Sequence, residues 1–449
     1  MSSTTQEASS KENQEKTGLG NYFVANYPPF SFWNKEQVAR VEQVCLQPAP
    51  KDKPLGLYIH IPFCRKRCKF CYFRVYTDKN ARDIETYLDS LVREIQVFAS
   101  YPYLAGRPLK FVYFGGGTPS YLSVKQIRDL VNRIKPLFPW EGTEEVTFEC
   151  EPGTLQQHKL EALREMGVTR LSLGVENFDA KILESNGRAH LAEEIDRAYS
   201  WARGCGFPQI NIDLIAGMVG ETDENWRYCI EKAIEKAPES ITVYQMELPY
   251  NTVYSTQLRV IGNDQPDMAR IADWPTKRRW VAEAYEAFEK AGYTVTSATT
   301  VSKNPQTTKF VYRDALWQGA DMMGTGVASF GHLGGVHVQN LDSWETWNES
   351  LARNEAPWAR AYALTPEEAF VRETILLSKK GRLSAAEFLA RHGKIPAVEF
   401  APVFESWRQR GMARIEGQDV VLTREGLIQV DRMLPELFLP QHRKFARYT

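Results

Sequence analysis

The sequence lacks the features that mark membrane-spanning, exported and nucleic-acid-binding proteins. No apolar run approaches the roughly 18 residues of a membrane span, and the first twenty residues contain no apolar core of a signal peptide. The net charge is −1 over 449 residues, so there is no basic excess of the kind that binds nucleic acid. Cysteine is also scarce: an odd total of seven without an export signal argues against a disulfide framework. We therefore expect a cytoplasmic protein.

Residues 55–250 alternate apolar strand patterns with amphipathic helix patterns. The predicted strands are GLYIHI (56–61), KFVYF (110–114), EVTFEC (145–150), TRLSLGV (169–175), QINIDLI (209–215) and SITVYQMEL (240–248). Helical patterns separate them, for example at 192–204 and 224–236. This alternation predicts an α/β fold with a parallel sheet and right-handed crossovers. The pattern alone leaves a doubly wound sheet and an open, incomplete (β/α) barrel as alternatives.

The flanking regions divide into four further segments. Residues 1–20 are polar and predict a disordered tail, and 21–54 form an N-terminal extension. Residues 251–360 are predicted to be a core extension and substrate-side segment: 251–276 are polar and turn-rich, 277–291 are helical, and 319–340 are dense in glycine. Residues 361–449 predict a C-terminal module resembling a winged helix, with Thr365 capping its first helix and a hairpin formed by MARIEG and DVVLT. The mixed charge of this module favours a lid or substrate-side cover over nucleic-acid binding.

The stretch FCRKRCKFCYF holds three cysteines, Cys64, Cys68 and Cys71, just after the first predicted strand. Structural zinc would need a fourth ligand, from His60 or from elsewhere in the chain. A redox CxxC pair would leave the third cysteine unexplained. The spacing favours an iron–sulfur cluster held by three thiolates, with one iron left without a protein ligand. Ligands of α/β folds collect at the carboxyl ends of strands, which is where this loop begins.

YIHIPFCRKRCKFCYF resembles the signature of the radical S-adenosylmethionine (SAM) superfamily. More narrowly, it resembles the family of oxygen-independent coproporphyrinogen III oxidase and its relative, the haem chaperone. The resemblance implies an open, partial (β/α)6 barrel over 55–250, followed by the family's C-terminal domain. It also implies a [4Fe–4S] cluster whose free iron binds the amino and carboxylate groups of SAM, and the release of a 5′-deoxyadenosyl radical that takes hydrogen from the substrate.

The same resemblance assigns one or two SAM sites to residues that match the family's positions. Read without it, the glycine run FGGGTPSYL is equally a tight strand-to-helix turn, and Glu149 is more often a surface acid or an ion-pair partner. Glu176 stands where the family usually has glutamine, so its carboxylate can accept hydrogen bonds from ribose but cannot donate them when ionised. The implied SAM-binding residues are Tyr58, Gly116, Gly117, Thr118, Glu149, Glu176, Arg188 and Asp213.

The resemblance leaves the reaction open. Oxidative decarboxylation of porphyrinogen propionates in haem biosynthesis is the first expectation, with a haem chaperone and a SAM-dependent methyltransferase as alternatives. Phe73 stands where the oxidase typically has another cysteine, and His332 and His337 are candidate haem ligands that are more often packed core or surface residues. A tetrapyrrole-like anion and a reduced flavodoxin or ferredoxin are the expected partners. A basic segment around the cysteines could attract them, although such a segment is more often only a solvated face: Arg65, Lys66, Arg67, Lys69, Arg74, Lys79 and Arg82.

Overall fold

A twelve-stranded sheet organises the protein, in a computed structural model that describes residues 16–20, 23–261 and 271–443. Its centre consists of six parallel strands that neighbour one another in chain order. A doubly wound sheet reverses its strand order at a switch point. This uninterrupted order therefore selects the open, incomplete barrel. The six strands are β1 Leu55–Ile61, β2 Leu109–Gly116, β3 Glu145–Cys150, β4 Arg170–Glu176, β5 Gln209–Ala216 and β6 Ser240–Gln245.

Helices in the first half of the chain connect these strands and cover the outside of the barrel. Their starts are locally encoded: Asn80 and Asp83 form a capping box at one helix, and Ser123 and Gln126 form another. The helix over 81–99 buries the apolar face that its period predicts. The helices are α1 Val38–Cys45, α2 Ala81–Ala99, α3 Val124–Ile134, α4 Gln157–Glu165, α5 Ala180–Ser185, α6 Ala192–Gly204 and α7 Asp223–Lys236, and 3₁₀ turns at Pro119–Tyr121 and Pro152–Thr154 follow β2 and β3.

The region 251–360 extends the sheet at both edges. Next to β6 lie β8 Thr300–Ser302 and then β7 Thr294–Val295. Next to β1 lies the parallel strand β9 Asp321–Thr325, followed by three antiparallel strands: β10 Phe330–Leu333, β11 Val336–Asn340 and β12 Trp358–Ala363. The glycine-dense stretch 319–340 is therefore strand structure. The helices of this region are α8 Val253–Ile261, α9 Trp274–Lys290, α10 Val311–Trp317 and α11 Trp344–Ala352, and α8 falls in the stretch expected to be only turn-rich.

The C-terminal residues build the expected helical module with a small three-stranded sheet. Thr365 caps its first helix in a capping box with Glu368. The predicted hairpin forms, and a two-residue strand joins it in the order β13-β15-β14. The elements are α12 Pro366–Ser378, β13 Arg382–Leu383, α13 Ala385–His392, α14 Pro396–Glu399, α15 Ala401–Gln409, β14 Ala413–Glu416, β15 Asp419–Leu422, α16 Arg424–Ile428 and α17 Val430–Met433.

The N-terminal segment packs against the rest of the chain where it is described. Gly20 forms a β-bridge with Leu248, and the buried side chains of Val24 and Tyr27 join the apolar core of the C-terminal module. Residues 1–15 of the predicted tail lie outside the described residues. Within the described ranges, no helix combines the length and the apolar character needed to cross a membrane.

Candidate functional site

The three cysteines share the wall of one cavity at the carboxyl ends of the barrel strands. The cavity has a volume of about 560 Å³, within the roughly 300–1,000 Å³ of small-molecule sites. Every predicted site residue except Tyr58 contributes to its wall: Cys64, Cys68, Cys71, Gly116, Gly117, Thr118, Glu149, Glu176, Arg188 and Asp213. The carboxyl ends of parallel strands meet at one edge of the sheet. This strand-end rule brings together residues that are up to 149 positions apart in the sequence, from Cys64 to Asp213.

Backbone hydrogen bonds hold the cysteine loop against its surroundings. The amide of Cys64 donates to the carbonyl of Tyr76 at 3.1 Å, and the amide of Lys69 donates to the carbonyl of Asn186 at 3.0 Å. The Arg67 guanidinium donates to the carbonyls of Cys71 and Asn251, at 3.3 and 2.9 Å. The loop between Phe63 and Phe73 is thus fixed at several points although it has no regular secondary structure.

Two of the thiols receive hydrogen bonds from predicted site residues. The Thr118 hydroxyl donates to Cys64 Sγ at 3.4 Å, and Arg188 Nη1 donates to Cys68 Sγ at 3.2 Å. Burial raises the pKa of Cys64 to about 11 despite the Thr118 hydrogen bond, and burial also raises the pKa of Cys71 to about 12. Burial lowers the pKa of Arg188, but the Cys68 sulfur and Glu176 outweigh it, so the net pKa is raised and the guanidinium stays charged. Arg188 thus places a charged hydrogen-bond donor at the Cys68 sulfur.

The glycine-rich turn after β2 approaches the cysteine loop so closely that a side chain would not fit. A Cβ on Gly117 would lie 2.9 Å from the carbonyl oxygen of Phe63, and one on Gly116 would lie 2.5 Å from the His60 ring. Gly116 also has a φ of +112°, which side chains disfavour. The amides of Gly117 and Thr118 donate to the carbonyls of Ile61 and Phe63, at 2.9 and 2.8 Å. These contacts lock the turn to the segment that leads into Cys64.

Three carboxyl groups line another part of the wall. Glu149 accepts hydrogen bonds from the Tyr113 hydroxyl at 2.6 Å and from the amide of Gly116 at 3.1 Å. Burial raises the pKa of Glu149 to about 7, and the neighbouring Asp213 adds to this shift. Burial raises the pKa of Asp213 too, against the opposing effect of Arg170. Such a cluster suits a ligand that carries positive charge.

Glu176 lies at an irregular point of β4. Its φ is +66°, and the pairing register with β5 shifts between Gly174 and Glu176. Its carboxylate is 3.7 Å from Arg188 Nη1, and Arg188 Nη2 donates to the carbonyl of Gly174 at 2.5 Å. Burial raises the pKa of Glu176 to about 7, although Arg188 opposes the shift. Among the described residues, the buried Nε of Arg188 has no hydrogen-bond acceptor.

Tyr58 lies beside the cavity wall and is not part of it. Its ring stacks on Tyr113 with centroids 5.8 Å apart, and its hydroxyl is 3.3 Å from His60 Nδ1. Its contact with the site is therefore indirect, because Tyr113 donates to Glu149.

His332 and His337 are packed core residues. Their Nδ1 atoms are 3.0 Å apart, and His337 Nε2 donates to the carbonyl of Tyr27 at 3.0 Å. The His337 ring stacks on Trp33 with centroids 5.0 Å apart. Burial holds the pKa of both imidazoles well below the ordinary value. Neither ring borders the cavity, so the geometry favours the packed-core reading over haem ligation.

The sequence reasoning missed the part of the wall that comes from outside β1–β5. The strand-end rule could have found the residues at the end of β6, Tyr244 to Glu247. Nothing in the local sequence marks the residues of α9, α10 and the C-terminal module, because they reach the cavity only through tertiary packing. These further wall residues include Trp274, Arg278, Tyr312, Ile428, Gln429, Asp431 and Arg432.

No set of three or more His, Cys, Asp or Glu side chains in the described residues could hold a single metal ion. A cluster makes a different demand, because each cysteine binds a different iron atom at a separate corner.

Comparison with known proteins agrees with the site. The profile of the Radical SAM superfamily matches residues 58–233, which contain all three cysteines and the three carboxyl groups. Residues 58–233 of the chain thus carry a radical SAM domain.

Two curated relatives show which radical SAM proteins the chain is similar to over most of its length. The chain is 28% identical over 375 residues to the haem chaperone HemW of Bacillus subtilis, covering 82% of this chain and 95% of the relative. It is also 28% identical over 436 residues to the oxygen-independent coproporphyrinogen III oxidase of Escherichia coli, covering 91% of each chain. The solved structure of the Escherichia coli enzyme, HemN, superimposes with a TM-score of 0.80 over 93% of this chain and 96% of that one at 24% identity, which shows the same fold.

Proposed function

We propose that this chain binds a [4Fe–4S] cluster through Cys64, Cys68 and Cys71, binds SAM beside it, and oxidatively decarboxylates propionate side chains of a porphyrinogen to vinyl groups. The observation that carries the proposal is the arrangement of the cavity. Three thiols from one loop, a glycine turn without room for side chains and a carboxyl cluster from three adjacent strands face the same space.

The donor set fits the cluster. Three cysteine sulfurs are the ligands that iron–sulfur clusters take, and two of them receive hydrogen bonds from Thr118 and Arg188. Such hydrogen bonds to ligand sulfurs also tune the reduction potential of a cluster. When bound, the cluster and SAM would supply the one-electron cleavage that yields a radical able to remove hydrogen from the substrate.

The remaining wall residues fit SAM by charge and shape. SAM carries an ammonium and a sulfonium centre, which Glu149, Glu176 and Asp213 would attract in their ionised forms. The bare backbone of Gly116 and Gly117 leaves room for close approach. In this proposal the chain itself orients the cosubstrate and keeps water away from it.

The aromatic and basic part of the cavity wall suits an anionic tetrapyrrole. The rings of Tyr72, Phe73, Tyr244 and Tyr312 line it together with two arginines, Arg278 and Arg432. Propionates on the porphyrinogen would lie near these cations. Conversion of each propionate to vinyl removes a hydrogen atom and CO2 and leaves one electron for an external acceptor. The cleavage of SAM needs one electron at the start of the reaction. We propose that a reduced flavodoxin or ferredoxin supplies it and docks at the basic face around the exposed side chains of Lys66, Arg74 and Arg82.

A haem chaperone is the second candidate. Two observations favour it: Phe73, which is 45% exposed and borders the cavity where we expect an oxidase to carry cysteine, and the alignment with HemW over 95% of that protein. A chaperone would bind haem and leave the tetrapyrrole unchanged.

One anaerobic experiment separates the candidates. Protein reconstituted with iron and sulfide is reduced and incubated with SAM and coproporphyrinogen III, and a variant with all three loop cysteines replaced by alanine serves as control. Formation of 5′-deoxyadenosine together with a divinyl product supports the oxidase. Stoichiometric haem binding in a parallel titration, with the porphyrinogen intact, supports the chaperone. S-adenosylhomocysteine among the products would indicate methyl transfer, and material with zinc and no sulfide would overturn the cluster itself.

A further inference from the structure

The interior of the partial barrel is polar where (β/α) barrels usually pack branched apolar side chains. Alternate residues of a strand face the same side. On β5 the inward pair is Asn211 and Asp213, and on β6 it is Ser240 and Thr242. The register aligns Ser172 of β4 with Asn211, and Asn211 with Ser240. These polar side chains form a layer at the floor of the cavity: Ser172 and Asp213 line the cavity, whereas Asn211, Ser240 and Thr242 lie behind them.

Asn211 is the centre of this layer. It is fully buried, and its Nδ2 donates to Asp213 Oδ1 at 2.8 Å and to Ser172 Oγ at 3.1 Å. Its Oδ1 accepts from the hydroxyls of Ser240 and Thr242, at 2.9 and 3.0 Å. The two hydroxyl donors determine which end of the amide faces Asp213, since only the nitrogen end can donate.

Ser172 continues the same chain of hydrogen bonds. Its hydroxyl accepts from Asn211 and donates to Asp213 Oδ2 at 3.0 Å. Both carboxylate oxygens of Asp213 thus receive a hydrogen bond, one from the Asn211 amide and one from the Ser172 hydroxyl, and Thr242 is a further hydrogen-bond partner of this carboxyl group. An ionised carboxylate has about four acceptor positions, so both oxygens keep acceptor capacity on the side that borders the cavity.

We propose that Asn211 is a positioning residue of the SAM site: it orients the Asp213 carboxylate toward the cavity and favours its ionised form. The proposal rests on the proposed function, in which Asp213 contacts SAM. Asn211 itself does not border the cavity, so it acts only through Asp213 and Ser172.

The test is the equilibrium binding of SAM to the oxidised, cluster-loaded protein, measured by anaerobic calorimetry at pH 6 and pH 8. Asn211→Ala removes a charge-assisted hydrogen bond that holds the Asp213 carboxylate, and we expect SAM affinity to fall because that carboxylate is less well oriented and less readily ionised. The loss should be larger at pH 6. Without its donor Asp213 protonates more readily, and a protonated Asp213 no longer attracts the cation. The other charged groups that face Asp213 stay unchanged in the variant: Arg170, Glu149 and Glu176, with Tyr244 nearby.

Asn340→Ala is the matched control. Asn340 is an equally buried amide that donates to a buried carboxyl group, Glu94, at 2.6 Å, but Glu94, unlike Asp213, does not border the cavity. Both variants should lower the urea midpoint of unfolding. Only Asn211→Ala should weaken SAM binding while iron per chain stays at the wild-type value. If Asn211→Ala does not fold, Ser172→Ala removes the donor to the other oxygen of Asp213 and should show the same pH-dependent weakening to a smaller extent.

The outcomes separate the inference from the function on which it rests. Wild-type SAM affinity in both Asn211→Ala and Ser172→Ala overturns the positioning role and leaves the proposed function intact. Equal weakening at pH 6 and pH 8 overturns the claim that Asn211 favours the ionised carboxylate. If the wild-type protein itself loads a cluster but binds no SAM, the proposed function and this inference fail together.

Discussion

Gly117 offers the sharpest test of how the glycine turn and the cysteine loop are joined. An alanine Cβ at this position would lie 2.9 Å from Phe63 O, 2.9 Å from Pro62 C and 3.0 Å from Ile61 O. All three are backbone atoms, so no side chain can rotate away to make room. The turn must therefore move away from the segment that enters the cysteine loop.

We expect Gly117→Ala to lower the free energy of unfolding by about 1–3 kcal/mol, the usual cost of overpacking. The lower entropy of the unfolded alanine chain offsets only about 0.4–1 kcal/mol of this. The hydrogen bond from the Thr118 amide to Phe63 O should lengthen, and with it the contact between Thr118 and Cys64. Iron per chain after reconstitution and affinity for SAM should both fall.

Urea unfolding of the apoprotein, iron analysis and calorimetry with SAM measure these three effects. Gly204→Ala is the control, because a Cβ on Gly204 at the end of α6 meets no atom of the described residues within 4 Å. This control should unfold no earlier than wild type and load iron normally. If Gly117→Ala matches Gly204→Ala in all three measurements, the close approach of the two loops does not support the site.

Three further predictions address the thiols, the carboxyl cluster and a buried acid. Cys71→Ala should reduce iron per chain to background while Cys205→Ala retains it; equal loading of both would contradict the ligand assignment. Because the pKa of Glu149 is about 7 in the free protein, SAM affinity should rise between pH 6 and pH 8, and calorimetry of Glu149→Gln should show a weaker pH dependence. Burial raises the pKa of Glu94 to about 8 from 4.5, so between these values the folded state holds a proton that the unfolded state releases, and stability falls as pH rises. Glu94→Gln should abolish this decrease in the free energy of unfolding, which is at most on the order of 5 kcal/mol. If the urea midpoint of the variant falls between pH 5 and pH 8.5 as steeply as that of wild type, the prediction is wrong.

The barrel could be predicted because its signals are local. Apolar alternation located β3 at its observed bounds and β1, β4 and β5 within one residue at each end, and helical periods located the connections. The ends of the strands that reach the cavity were less predictable. Strand β2 continues to Gly116 in the glycine turn, and β6 stops at Gln245 where a longer strand was expected. The order of β1 to β6 follows from right-handed crossovers between successive strands. The strand on the other side of β1 could not be predicted in this way, because β9 pairs with β1 from more than two hundred residues away.

The glycine-dense extension could not be predicted because its signal is not periodic. A Cβ on Gly324 would lie 1.9 Å from the carbonyl oxygen of Phe330, so β9 and β10 approach each other only because this position is bare. The sequence shows the glycines without showing what they face. Similarly, α8 begins in a polar stretch whose helix depends on tertiary contacts, such as the hydrogen bond from the Tyr254 amide to the carbonyl of Lys69.

The site residues that the sequence predicts and those that it does not predict come mostly from different parts of the fold. The cysteines, glycines and carboxyl groups come from the ends of successive strands, where sequence pattern alone brings them together, and these are the residues that would serve any radical SAM reaction. The aromatic and basic part of the wall is mixed: Tyr72 and Phe73 belong to the cysteine loop and Tyr244 to β6, whereas Arg278, Tyr312 and Arg432 come from α9, α10 and α17 and reach the cavity through tertiary packing. Because the parts that would distinguish a porphyrinogen from haem lie in this second group, similarity to an oxidase and to a chaperone over the same barrel is what the architecture leads one to expect. In our proposal the choice between the two functions therefore depends on this aromatic and basic part of the wall, which includes Phe73 of the cysteine loop.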